Sequence, residues 1–316
     1  MNTELNDFSR VQIHQAGSDD VGRRLDNFLI NLLKGVPRSR IYRILRKGEV
    51  RVNKGRVAAA YRISSGDLIR IPPVRMAERD APVQPPTPVL QRLEQRILHE
   101  DKELLVINKP AGLAVHGGSG LNFGLIEAMR TLRPHDQSLE LVHRLDRDTS
   151  GCLLLAKKRS GLRELHELMR EGRVEKRYLA LLAGRWRRDN QLVDMPLLKN
   201  GISGGERIVR VDPRGKPART HFSVIRRWPG YMLVEVLLET GRTHQIRVHA
   251  AHLGTPICGD DKYGDAEVNE RLKPLGLKRL FLHAIGIAFQ RPSTTRRQEF
   301  SAPLDEELDQ VLQRLE

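Results

Sequence analysis

Nine consecutive residues, His143-Arg144-Leu145-Asp146-Arg147-Asp148-Thr149-Ser150-Gly151, hold two carboxylates, two guanidinium groups and an imidazole. Groups of these types can exchange protons, stabilise a developing positive charge or bind an anion. Apolar segments flank them, Leu141-Val142 ahead and Cys152 to Ala156 behind, so the charges fall on a connection between two expected strands. Taken alone, such a segment also reads as a solvated charged turn. Asp146 and Asp148, with His143, His244 and His249, could in principle gather round a metal. Arg144 and Arg147 among the carboxylates would compete with a cation, so no metal is expected.

Three further segments carry candidate chemistry. Glu175-Lys176-Arg177-Tyr178-Leu179-Ala180-Leu181 puts an aromatic hydroxyl on a strand, where Tyr178 shares a face with Lys176 and could stack on a base or simply fill the sheet. In Thr240-Gly241-Arg242-Thr243-His244-Gln245-Ile246-Arg247-Val248-His249, a glycine turn is expected to open a short helix bearing Arg242, His244, Arg247 and His249. Arg247 could pair with a carboxylate and keep it ionised, although a solvated basic face fits equally well. Ala114-Val115-His116-Gly117-Gly118-Ser119-Gly120 is a glycine-rich loop that permits close backbone approach to a ligand, but it lacks the Gly-Lys-Ser/Thr ending of a nucleotide-phosphate loop.

The elements that must hold these residues lie in a chain of 316 residues with ordinary apolar content, enough for two domains. There is no apolar run of membrane-spanning length and the start is polar, so a cytoplasmic protein is expected. Cys152 and Cys258 lack partners at metal-ligand spacing and read as small buried residues. The net charge of +15 is unevenly spread: residues 22–73 hold 13 Lys and Arg against 3 Asp and Glu. A polyanionic partner follows from that excess.

Within the basic segment, Leu25, Phe28, Leu29, Leu32 and Leu33 mark one helical face. A second helix is expected after Pro37, with Ser39 as its N-cap, Ile41, Ile44 and Leu45 as its apolar stripe and Gly48 as its stop. Its other face carries Arg40, Arg43 and Lys47, with Arg38 and Arg46 beside them, a row suited to a phosphate backbone. Strands are expected at Glu49 to Asn53, Tyr61 to Ile63 and Leu68 to Ile71. This order resembles the S4 RNA-binding domain.

Six prolines between Pro72 and Pro88 predict an extended linker. The domain plan is then a tail at 1–21, an S4-like domain at 22–73, a linker at 74–89 and a second domain at 90–316. Beyond Leu90 the pattern predicts a fold of the α+β class built on a mixed, mainly antiparallel sheet. Its strands include Leu104 to Asn108, Glu175 to Ala183, His221 to Arg226 and Tyr231 to Leu238, with helices at Arg163 to Arg170 and at the C-terminus.

With all four segments in view, the chain resembles the pseudouridine synthases of the large-subunit rRNA and tRNA type, recognised by His-Arg-Leu-Asp-x-x-Thr-Ser-Gly, which His143 to Gly151 fits at every fixed position. The resemblance runs from about Gly22 to the C-terminus. It implies an isomerase that breaks the N1–C1′ bond of a uridine, turns the base and rejoins C5 to C1′ without cofactor or metal. It makes Asp146 the catalytic carboxylate, assigns Tyr178 to stacking on the base and to proton removal from C5, and pairs Arg247 with Asp146. Arg144 would fill the gap left by the extruded uridine. Asp148 stands at a variable position of the motif and receives no role.

By the same resemblance, the partner is large-subunit ribosomal RNA, with no membrane association and a monomeric enzyme. A synthase acting on tRNA or another rRNA site, or a non-catalytic rRNA-binding assembly factor, are the competing readings, because phosphate contacts position a protein without reading sequence.

Overall fold

The computed structural model describes residues 10–17, 20–33, 35–74, 84–117, 123–136, 138–203, 206–294 and 296–316, with the backbone alone for 200–203 and 206–207. Most of the expected tail, Pro82 with most of the expected linker, and Gly118 to Gly120 of the glycine-rich loop lie outside the described residues. The chain divides into two compact units, 1–83 and 84–316.

In the first unit, β1 (Gln12–Gln15), α1 (Leu25–Leu32), α2 (Arg38–Arg46), β2 (Arg51–Val52) and β3 (Leu68–Ile71) form a helix pair on a three-stranded antiparallel sheet ordered β1-β3-β2. Leu25, Leu29, Ile41, Ile44, Ile63 and Ile69 fill its core. Ser39 is not the N-cap of α2 but lies inside it; Pro37 holds the boundary, its fixed φ already suited to a helix start. Gly48, at φ 68°, ends the turn as expected. Tyr61 to Ile63 forms only an isolated bridge, Arg24 to Arg62, rather than a strand.

The second unit opens with α3 (Thr87–Glu94), which begins inside the stretch expected as linker. Pro88 stands in its first turn, where a missing N–H costs nothing. The strands β4 (Ile97–Glu100), β5 (Leu104–Lys109), β6 (Glu140–Leu141), β7 (Ser150–Ala156), β8 (Val174–Ala183), β9 (Asn190–Asp194), β10 (Leu197–Ser203), β11 (Glu206–Val211), β12 (Arg219–Trp228), β13 (Tyr231–Leu238), β14 (Leu282–Phe289) and β15 (Gln298–Ser301) follow. Between them lie α4 (Leu125–Leu132), α5 (Arg159–Arg170), α6 (Gln245–His252) and α7 (Ala266–Leu272), and α8 (Glu306–Arg314) ends the chain.

The main sheet runs β4-β5-β7-β14-β8-β13-β12-β9, with β6 beside β7 and β15 beside β14, while β10 and β11 form a separate hairpin. Its pairings are antiparallel except β7 with β14. The sheet is therefore mixed and mainly antiparallel, as expected. Alternate residues of β5 and β7 serve two cores: Leu105, Ile107, Leu153 and Leu155 face one that includes α4 and α8, while Leu104, Val106, Cys152 and Leu154 pack with Leu165 and Leu168 of α5. Cys152 and Cys258 are both buried, and burial pushes each thiol up to about 12.

Candidate active site

The charged nonapeptide spans the end of β6 to the start of β7, and its bend is held from within. The Val142 amide donates to the Leu154 carbonyl at 3.0 Å and the Thr149 amide to the Asp146 carbonyl at 3.2 Å. His143 is part of this scaffold: its Nε2 accepts the Leu154 amide at 3.1 Å, and burial pushes the imidazole down to about 3, so it stays the neutral acceptor the contact needs. Val142 and Leu145 anchor the loop in the core, while Asp146 between Leu145 and the turn reaches the cavity.

The glycine that ends the motif has a steric cause. Gly151 has φ 113°, and a Cβ there would lie 2.3 Å from the Ala284 carbonyl oxygen of β14. Beside it, the Ser150 hydroxyl accepts from Arg279 at 3.2 Å and reaches His283 Nδ1 at 2.8 Å, joining β7 to β14 through buried polar groups.

Lys109, at the end of β5, is fully buried and donates from Nζ to the carbonyls of Pro110, Leu113 and Arg147 at 2.9, 2.8 and 3.0 Å. The ammonium thus ties the turn after β5 to the loop of Asp146. Burial pushes Lys109 down to about 7, opposed by the charges of Asp148 and Asp146. Sequence reading missed this residue; a lysine closing an apolar strand ahead of Pro-Ala-Gly was the available signal.

Asp146 lines a cavity of about 120 Å³ together with Arg144, Tyr178, His244, Gln245 and Arg247. Grooves of about 930 Å³ and about 630 Å³ adjoin it, and Arg144 lines all three spaces. Arg144 is exposed and its side chain has no hydrogen-bond partner among the described residues. Among the same residues the Asp146 carboxylate accepts no hydrogen bond, and its one ion-pair contact within 4 Å is His244, with Nε2 3.9 Å from Oδ2. Asp148 is instead turned to its neighbour Arg147, which donates to it at 3.1 Å.

Tyr178 comes from β8, opposite Val236 of β13, and is buried. Burial first, then the charge of Asp146, raises its pKa well above the ordinary phenol value, so the hydroxyl holds its proton at neutral pH. Lys176, two residues earlier, lines the groove beside it with Arg144 and Arg242. Burial lowers the lysine.

Arg247 reaches the cavity wall, but the carboxylate it grips is Asp260 rather than Asp146. Its Nε and Nη2 donate to Asp260 Oδ2 and Oδ1 at 2.7 and 2.6 Å, a two-armed pair with both residues buried. Burial alone would raise Asp260; the guanidinium outweighs it and holds the carboxyl below the usual range. Asp260 also accepts the amides of Lys262 and Tyr263, so it is saturated where it stands. The residues themselves pointed only to some carboxylate partner, and the pairing with Asp146 that the resemblance implied is not the one found, since spacing along the chain does not report which carboxylate lies within reach.

The helix expected to bear Arg242 and His244 starts only at Gln245, and both residues precede it. Gln245 fastens this corner: its amide accepts from Thr240 and the Arg242 amide and donates to the Arg219 carbonyl and Thr220. His249 is likewise structural, bonded to Thr220 and the Met195 carbonyl.

In the first unit, Arg38, Arg43, Arg46 and Lys47 of α2 and the turn after it are exposed and Arg40 is half-buried. None of the five has a side-chain ion pair among the described residues. That leaves a row of free cations on one side of the helix whose other side is core.

Comparison with known proteins agrees with this division. Residues 23–69 match the S4 domain, and residues 103–252 match the family described as RNA pseudouridylate synthase. Proteins named ribosomal large subunit pseudouridine synthase C are similar over nearly the whole chain. That of Pasteurella multocida (strain Pm70) is 55% identical over 96% of this chain and 93% of its own, and that of Escherichia coli (strain K12) 54% over 96% and 97%. Among solved structures, human RNA pseudouridylate synthase domain containing 4 is 29% identical with a TM-score of 0.60, covering 72% of this chain and 95% of that one. The human domain-containing 1 protein is 26% identical with a TM-score of 0.56, covering 74% and 97%. With a carboxylate at the cavity that accepts no hydrogen bond among the described residues, a buried tyrosine lining the same cavity and relatives above half identity along its length, the chain belongs to the RNA pseudouridylate synthase family and carries an S4 domain ahead of the catalytic unit.

Proposed function

We propose that this protein isomerises uridines to pseudouridine in large-subunit ribosomal RNA, with Asp146 as the catalytic carboxylate. The observation that carries the reading is the Asp146 side chain, held by a rigid loop at the cavity and accepting no hydrogen bond among the described residues. A carboxylate so presented is free to meet a glycosidic carbon that develops positive charge as N1–C1′ breaks. It can attack C1′ or take a proton from the sugar. The isomerisation conserves every atom of the nucleotide, so the chemistry calls for no redox or group-transfer cofactor.

Tyr178 offers a ring for the uracil to stack on and a hydroxyl beside Asp146. Since burial keeps that hydroxyl protonated, it can take the C5 proton only if its own proton passes on in the same step, and the Asp146 carboxylate lining the same cavity is an acceptor for it. Arg144, unpaired and common to all three spaces, is suited to enter the stack when the uridine leaves it. Arg247 acts on the site through Asp260, as a wall and as a positive charge near Asp146. The cations of α2 supply backbone contacts to the RNA. The bacterial relatives named for ribosomal large-subunit RNA support action in the cytoplasm, where bacterial ribosomes are assembled.

Asp146→Asn tests the reading. Carbodiimide labelling of rRNA incubated with the variant should find no new pseudouridine, while RNA affinity stays within about two-fold of wild type. Substantial turnover by the variant would remove Asp146 from its role.

A further inference from the structure

His244 has no part in the chemistry above, yet its imidazole is the group that faces Asp146. The 3.9 Å between Nε2 and Oδ2 is too long for a direct hydrogen bond. It is a separation at which one hydroxyl can lie within hydrogen-bond reach of both atoms, accepting from the nitrogen and donating to the carboxylate. That arrangement requires Nε2 to carry the imidazole proton.

Tyr263 puts it there. The Tyr263 hydroxyl oxygen accepts the Val209 amide of β11 at 3.1 Å and lies 2.8 Å from His244 Nδ1. Among the described residues Nδ1 is the one acceptor within reach of the phenol proton, so Tyr263 donates to Nδ1 and the imidazole proton sits on Nε2. Burial lowers the pKa of His244, against the opposing pull of Asp146, which favours the neutral ring this pattern needs. The geometry is also costly to hold. His244 has a left-handed backbone at φ 54°, immediately before α6, and its ring packs edge-on against Tyr263 with centroids 5.5 Å apart. Tyr263 in turn lies under the Arg247 guanidinium, 5.1 Å from its ring centre.

We propose that His244 and Asp146 bracket the 2′-hydroxyl of the target nucleotide, His244 donating to it from Nε2 and Asp146 accepting from it, so that the site recognises ribose. The inference rests on the isomerase reading above, because it is C1′ of that nucleotide that brings the neighbouring 2′-hydroxyl beside Asp146. The 2′-hydroxyl is both donor and acceptor and is what distinguishes RNA from DNA.

The test compares kcat/KM on a large-subunit rRNA fragment bearing either uridine or 2′-deoxyuridine at one site that the wild-type enzyme modifies. Wild type should lose about 100-fold on the deoxy substrate, as expected of a site built around a hydroxyl. Two variants perturb the bracket differently. His244→Asn keeps a residue that tolerates the left-handed backbone but cannot reach as far. Tyr263→Phe keeps the ring and frees the imidazole to change tautomer. In both, the ribose preference should shrink to below about five-fold, and nitrogen NMR of the imidazole should find the Nε2–H form in wild type and a mixture in Tyr263→Phe. A wild-type preference near one, or one undiminished in both variants, would overturn the proposal. Failure of wild type to modify the all-ribose fragment would instead sink the isomerase reading itself.

Discussion

Arg247 uses two of its donors on Asp260, and both side chains are withdrawn from water. A buried pair of this kind is costly to break on one side, because the surviving charge keeps its burial and loses its partner. Arg247→Ala should therefore destabilise the protein by about 3–5 kcal/mol in urea unfolding. A double-mutant cycle should find strong coupling between positions 247 and 260 and little between 247 and 146; the reverse ranking would restore Asp146 as the partner. At this scale the sequence was legible in types rather than in pairs. Asp146, Tyr178 and Arg247 were all singled out, and the cavity brings them together. Asp260 and Lys109 were passed over, since their meaning lies in a side-chain partner on a neighbouring helix or in backbone carbonyls that no motif advertises.

Among the elements, β5, β8 and β13 were readable because their apolar runs or alternation are long, and α1 and α5 because their faces repeat at helical spacing. Others were not foreseen. The run of β14, Leu282 to Phe289, is apolar on both faces and so lacks the alternation that marks a strand. Prolines hid the start of α3, though in a first turn they are at home. One junction between elements invites a pH experiment. Glu100 of β4 accepts from Arg133, which follows α4, and from Lys157, which follows β7. Arg133 chiefly, with Lys157, pushes Glu100 down to about 2 despite partial burial. The folded pKa lies below the unfolded value of about 4.3, so the stabilisation is complete above that pH and fades as pH falls toward 2. Glu100→Gln should cost about 2 kcal/mol at pH 7, and its stability should converge on that of wild type as the pH is lowered from about 4.3 toward 2, followed by urea unfolding at each pH.

For the whole molecule, charge is concentrated where the chemistry is not. The first unit holds the densest excess of cations, on α2, and Asp146, the carboxylate proposed to be catalytic, is in the second. Replacing Arg40, Arg43 and Lys47 together by Ala should reduce the slope of log affinity for rRNA against log salt by about 2 to 3, while kcat at saturating RNA stays close to wild type. An unchanged slope would mean that α2 does not touch the phosphates. The excess of charge could be read from composition, the boundary from the run of prolines and the S4-like domain from the order of its elements and the resemblance they carry; the order of strands could not, because pairing partners are remote in sequence. That order carries a last consequence. Asp146 precedes β7 and Tyr178 lies on β8, and β14 is the strand between them. Among the described residues the two halves of the sheet are joined through β14, a strand far along the chain from both, and these are contacts of high sequence separation. Asp146 and Tyr178 can therefore be set by one continuous sheet only after that strand, made after both of them, has inserted between β7 and β8.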